Sequence, residues 1–192
     1  MNFFKISCLI VSVCSFSLGL LVYVRGTKLF INKILCLLCL SISLWSFGLF
    51  KVVSSSTREI SYFWIKPHYF GAIFIPVFFL HFVSTLLDLK NKLKKILWSG
   101  YILVFINLLL IIFTPWIVKD VTSKFGFKFY TEAGIFYNGF TAYFILYIAI
   151  AYYLLFEAFK KATGYLRNKI KYVLIASVIG FPSGSAAFFP VY

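Results

Sequence analysis

Acidic side chains are nearly missing from this chain: five, Glu59, Asp88, Asp120, Glu132 and Glu157, stand against nineteen Lys and Arg. All five lie at or beyond the ends of long apolar runs. No pair of carboxylates is therefore available inside a run for general acid–base work or for a hard metal ion. Histidine is equally scarce, with His68 and His81 alone. No hydrophilic connector exceeds about 16 residues, too short to bury a core of its own, which excludes a soluble domain. The His-Glu-x-x-His zinc helix, the P-loop and the nucleophile elbow are all absent. The sequence thus offers no catalytic, cofactor-binding or metal-ligating set, and it reads as a non-enzyme.

What the chain has instead is apolar length. Hydrophobic residues make up 62% of it, its mean hydropathy is +0.96, and Phe alone occurs 25 times. Soluble domains carry roughly 45–50% apolar residues. Six runs stand out, at 6–24, 34–50, 67–87, 96–118, 133–156 and 172–189. Each approaches the roughly 20 residues needed to cross a bilayer as a helix, whereas a β-barrel would alternate in segments of about 10 residues. The expected fold is all-α, a single polytopic membrane bundle over 1–192 with about six transmembrane helices. The first run is too long for a signal peptide and lacks a good cleavage site, so it reads as a retained helix. Trp45, Trp98 and Trp116 near the ends of runs read as interfacial anchors. Lys124-Phe-Gly-Phe-Lys-Phe-Tyr130 alternates polar and aromatic residues, the pattern of a small hairpin outside the membrane.

The net charge of +14 would suggest nucleic acid in a soluble protein, but the cations lie between the apolar runs. There they act as topology signals and meet anionic headgroups, so the bilayer is the expected partner and nucleic acid is not. The N-terminal tail and the even-numbered loops carry seven Lys and Arg, against twelve on the odd-numbered loops. The odd loops then face the cytoplasm and the N-terminus lies outside, as in a multi-pass protein of the cytoplasmic (inner) membrane. Cys36-Leu-Leu-Cys39 has redox or metal spacing but sits in an apolar run with no second pair, and reads as small packing residues.

Polar and helix-breaking residues inside the runs are the functional candidates. His68 and His81 are 13 residues apart, roughly 220° of helical rotation, so they point to different faces and share no metal. His68, beside Lys66, reads as an interfacial anchor. His81, Ser84 and Asp88 fall on one face at i, i+3 and i+7. That face either forms a helix–helix hydrogen bond or is a ligand- or proton-responsive spot. Pro67 reads as a run-start residue, while Pro76 lies mid-run and should bend the helix and free the Ala72 carbonyl. Gly180-Phe-Pro-Ser-Gly184 in the sixth run combines small residues with Pro182, allowing close approach or a local break.

Arg167-Asn-Lys-Ile-Lys-Tyr-Val and the Gly180 to Tyr192 segment, with its Phe-Phe-Pro-Val-Tyr ending, resemble the end of the N-terminal seven-transmembrane input region of bacterial sensor histidine kinases. Pro76-Val-Phe-Phe-Leu-His-Phe82 and Tyr130-Thr-Glu-Ala-Gly-Ile-Phe-Tyr137 agree with it in order and spacing. Ser183 and Ala187 depart from the usual glycine and polar residue. The resemblance implies a membrane sensor of a two-component system, without its catalytic half and cut before its last helix. It also implies a homodimer responding to a small-molecule or lipid-phase signal, with Pro76, His81, Ser84, Gly180, Pro182 and Gly184 as the positions that switch. The alternatives are a small transporter or channel component, suggested by the prolines at 76 and 182, and a lipid-modifying enzyme with His81 as base.

Overall fold

A computed structural model describes residues 2–124 and 126–185. Six helices and one hairpin occur among them: α1 (Asn2–Arg25), α2 (Phe30–Ser54), α3 (Arg58–Leu86), α4 (Lys94–Phe113), β1 (Val118–Lys124), β2 (Phe127–Ala133), α5 (Tyr137–Lys161) and α6 (Gly164–Ser185). The chain is a polytopic helical bundle. Five of the helices are long and apolar enough to cross a membrane. The described part of α6 is not among those five, because its first two turns carry Arg167, Lys169 and Lys171.

α1 and α2 overrun their apolar runs at both ends and α3 begins nine residues before its own, whereas α4 stops five residues before the fourth run does and α5 starts four residues into the fifth. α3 starts at Arg58 because Thr57 caps it, its hydroxyl accepting the Ile60 amide at 3.4 Å, and Glu59 sits in the first turn where the helix dipole favours an anion. The polar stretch 53–61 is therefore not one loop: residues 55–57 alone join α2 to α3. Pro67, expected at a helix start, lies inside α3 together with Pro76. Trp45, expected as an interfacial anchor, lies mid-way along α2, since that helix runs past Lys51 to Ser54. Lys51 is tolerated there with its ammonium 5.1 Å from the Trp64 ring centre. α4 stops at Phe113, one residue before Thr114 and two before Pro115.

α3 is the centre. Its apolar window is 72% buried, against 17% for α1 and 28% for α4. It packs on α2, α4, α5 and both strands. α2 reaches it most closely, through two glycines. A Cβ at Gly48 would stand 2.6 Å from the His68 Cα, and one at Gly71 would stand 2.7 Å from the Ser41 carbonyl oxygen. Neither position has room for a side chain, so the two backbones meet there. α1 lies against α2 through reciprocal serines: Ser12 donates to the Ser43 carbonyl at 3.0 Å and Ser43 to that of Ser12 at 2.9 Å. Ser46 adds a bond to the Cys8 carbonyl at 2.9 Å.

The two ends of the bundle differ in charge. The connections α1–α2, α3–α4 and α5–α6 share one end, which together with the adjoining helix turns holds twelve of the nineteen Lys and Arg. Under the positive-inside rule such a basic end is the one expected on the cytoplasmic side. The other end carries the antiparallel hairpin, whose turn passes through Gly126 at φ 79°, a conformation L side chains rarely adopt. Arg58 at the start of α3 pairs with Asp120 on β1, and Lys128 donates to the Ser56 carbonyl at 2.7 Å. Tyr130 is buried beneath the hairpin, and Phe127 packs on Phe4 of α1 at 5.0 Å. The small β element beside the helices is the one that the 124–130 alternation suggests.

Candidate functional site

The polar groups of α3 do not converge; each is held by a different neighbour. His68 is buried, not an interfacial anchor. Its Nδ1 shares a 2.8 Å hydrogen bond with the Trp45 carbonyl, and its ring stacks on that of Trp45 at 5.9 Å. The absence of a side chain at Gly48 lets the α2 backbone come near enough for this bond.

His81 faces the opposite neighbour, α4, where its Nδ1 shares a 2.7 Å hydrogen bond with the Tyr101 hydroxyl. On its other side Phe30 of α2 packs at 5.5 Å, and the Lys90 ammonium lies 4.3 Å from the same Phe30 ring centre. This small cluster ties α2, α3 and α4 together near the basic end of the bundle. Ser84 is buried on the same helix, but its hydroxyl donates to the His81 carbonyl at 2.8 Å and not to the imidazole. Asp88 has left the helix at φ 55° and is exposed. The face 81–84–88 is thus a histidine–tyrosine bond with a local serine cap beside it.

Pro76 removes one helical donor, and the bundle answers from α5. The Tyr143 hydroxyl donates to the Ile73 carbonyl at 2.9 Å, one residue from the Ala72 carbonyl that Pro76 has no N–H to meet. The hydrogen bond thus joins α5 to the proline turn of α3. Sequence alone gives no hint of Tyr143, because its role depends on α5 lying beside α3.

Gly180 and Gly184 of α6 face a cavity of about 790 Å³ between α6 and the inner sides of α1 and α2. A Cβ at Gly180 meets no heavy atom within 4 Å, whereas one at Gly184 would stand 2.9 Å from the Trp45 ring. The side chain of Pro182, and the Phe-Phe-Pro-Val-Tyr ending at 188–192, lie outside the described residues.

Three of the five carboxylates are engaged in ion pairs at the ends of the bundle. Arg58 donates its Nε to Asp120 at 3.0 Å, holding that carboxyl below its usual range, and Glu132 raises the Lys119 ammonium through a 2.9 Å bond. Glu157 meets Lys160 at 2.8 Å. Among the described residues no group of three His, Cys, Asp or Glu side chains is arranged to hold a metal. Among the described residues the interior is free of carboxylates, and its hydrogen bonds between helices hold them in register.

Comparison with known families agrees with the sequence motifs. The model of the family described as the N-terminal 7TM region of histidine kinase matches residues 7–191, nearly the whole chain. No curated protein and no solved structure matches it.

Proposed function

The chain belongs to the family of N-terminal 7TM regions of histidine kinases, and on that premise we propose that it is the sensory input part of a two-component kinase of the cytoplasmic membrane. Its own helices carry reception and no phosphoryl transfer. A signal from the outer face or the lipid phase changes how the outer helices pack on α3. That change passes to a dimer on the basic, cytoplasmic side, where the α1–α2, α3–α4 and α5–α6 connections lie. The family match over residues 7–191 is the observation that carries this reading. The placement of Pro76, His81 and Ser84 on the buried helix, and of Gly180 and Gly184 on the cavity wall, supports these positions, with Pro182, as the parts that move.

The test is the reading frame beyond codon 192, followed by membranes containing its full product. Dimerisation and ATP-binding domains in frame are expected. Autophosphorylation should then respond to Tyr143→Phe and to His81→Phe. A frame that encodes no signalling output sinks the reading, as does a kinase indifferent to both changes.

A further inference from the structure

The cavity between α6 and the α1–α2 pair has a chemistry specific enough to name what fits it. Its volume of about 790 Å³ lies in the range of small-molecule sites, roughly 300–1,000 Å³. Phe4 of α1 and Phe127 and Tyr130 of the hairpin stand in its wall toward the outer end. None of the described residues lining it is charged. An ion inside would be left unpaired in an apolar site, at a cost no neighbour offsets. The occupant is therefore neutral.

The polar atoms in the wall narrow the class further. Ser7, Cys8, Ser15, Cys39, Ser46 and Ser177 contribute hydroxyls and thiols, beside the Trp45 indole and the Tyr130 and Tyr172 phenols, to a surface that is mostly hydrocarbon. Three of these hydroxyl protons are already committed to backbone carbonyls: Ser7 to Phe3 at 3.0 Å, Ser46 to Cys8 at 2.9 Å and Ser177 to Leu174 at 3.1 Å. A hydroxyl has one proton to donate and two lone pairs to accept with. These three oxygens consequently offer acceptance, and a ligand gains by bringing its own donor.

We propose that the cavity binds a neutral, single-chain apolar molecule carrying a hydroxyl, a long-chain alcohol in chemical class, from the lipid phase. This rests on the reading of the chain as an input region and names the kind of signal that region takes. A phospholipid is a poorer occupant, because its charged headgroup would find no ionic partner in the wall. α6 is the adaptable side: with no heavy atom within 4 Å of a Cβ at Gly180, that wall has room to close on a bound chain.

The experiment uses the 192-residue chain in nanodiscs of zwitterionic lipid and, as probe, dodecanol bearing a diazirine on its chain, with adduct positions read by mass spectrometry. Adducts should saturate and concentrate on the cavity-lining residues of α1, α2 and α6. They should fall about tenfold when the probe's hydroxyl is methylated, the effect of one hydrogen bond donated in an apolar site. Gly180→Leu, which puts a branched side chain into the cavity, should reduce them severalfold without changing adducts on the exposed Phe105 of α4. Ser177→Ala, a milder change, should weaken alcohol labelling and leave the ether's unchanged.

Adducts spread evenly over lipid-facing positions would overturn the proposal, as would equal labelling by alcohol and ether. Equal labelling of the same residues by a photoreactive phosphatidylcholine would assign the cavity to bilayer lipid. Cross-links there to a second copy of the chain would assign it to self-association. Labelling reads occupancy alone, whereas the input reading stands or falls on the frame beyond codon 192, so each can fail without the other.

Discussion

Two sides of this bundle are built in opposite ways, although both use glycine. Along the α2–α3 seam, Gly48 and Gly71 let backbone meet backbone, and His68 is locked to the Trp45 carbonyl. Across the bundle, Gly180 on α6 looks into a cavity of about 790 Å³. The first arrangement leaves nothing free to move, while the second leaves a helix with space in front of it. In a membrane, where lipid tails are as apolar as side chains, helix association depends on close packing and hydrogen bonds. The seam is accordingly the fixed frame, and α6 is the wall able to respond.

The same mutation, glycine to alanine, separates the two sides. At Gly48 the added carbon would stand 2.6 Å from the His68 Cα, a backbone atom that cannot step aside. Gly48→Ala should destabilise the bundle by about 3 kcal/mol, the upper part of the overpacking range. It should also break the His68–Trp45 bond. Reversible unfolding in mixed detergent micelles checks this, and a loss under about 1 kcal/mol would show that the seam is not the rigid part.

Between these extremes lie the bonds that tie α3 to its other neighbours. Tyr143→Phe removes the hydroxyl that meets the Ile73 carbonyl at the Pro76 turn. Tyr101→Phe removes the partner of His81. Each should cost about 1 kcal/mol, the scale of interhelical hydrogen bonds in membranes. Their signatures differ: amide exchange should quicken near residues 73–77 for the first and near residues 81–86 at the end of α3 for the second. Equal exchange in both variants would contradict the separate roles given to these bonds.

Gly180→Ala sharpens the contrast by reversing the sign. No heavy atom lies within 4 Å of the new carbon, so only the backbone entropy of glycine is at stake. A gain of roughly 0.5 kcal/mol is expected in the same micelle assay. A loss there would mean that α6 packs more tightly than the cavity implies.

The sequence shows the runs, the odd-loop excess of cations and the hairpin alternation because each is a local pattern of one segment. It also places His68 and His81 on different sides of α3, since rotation along one helix is fixed by counting residues. It misplaces Trp45 and Pro67, because charge and proline look like ends when a helix in fact continues through them. Lys51 is sheltered by Trp64, and the break before α3 is set by the Thr57 cap. Ser12, Ser43 and Tyr143 are beyond its reach for a different reason. Their hydrogen bonds join separate helices, and which helices are neighbours is not encoded in any one run.

The smallest effect concerns the hairpin, the one element that both sides share as a cover. Arg58 holds the Asp120 carboxyl below its usual range, first through its hydrogen bond and then through its charge. A carboxyl whose folded value is depressed adds stability above its unfolded value, about 3.9, and loses it as pH falls through the lower folded value. Acidification below about pH 4 should therefore loosen the hairpin from the start of α3 in the natural chain. In Asp120→Asn that step should vanish. The Arg58 side chain is 60% exposed, so salt should shrink the same step. Amide exchange of residues 118–133 across the acid range reads the effect. If the variant and the natural chain share one profile, the hairpin is held by Phe4, Phe127, Tyr130 and the Lys128–Ser56 bond, and the Arg58–Asp120 pair adds nothing.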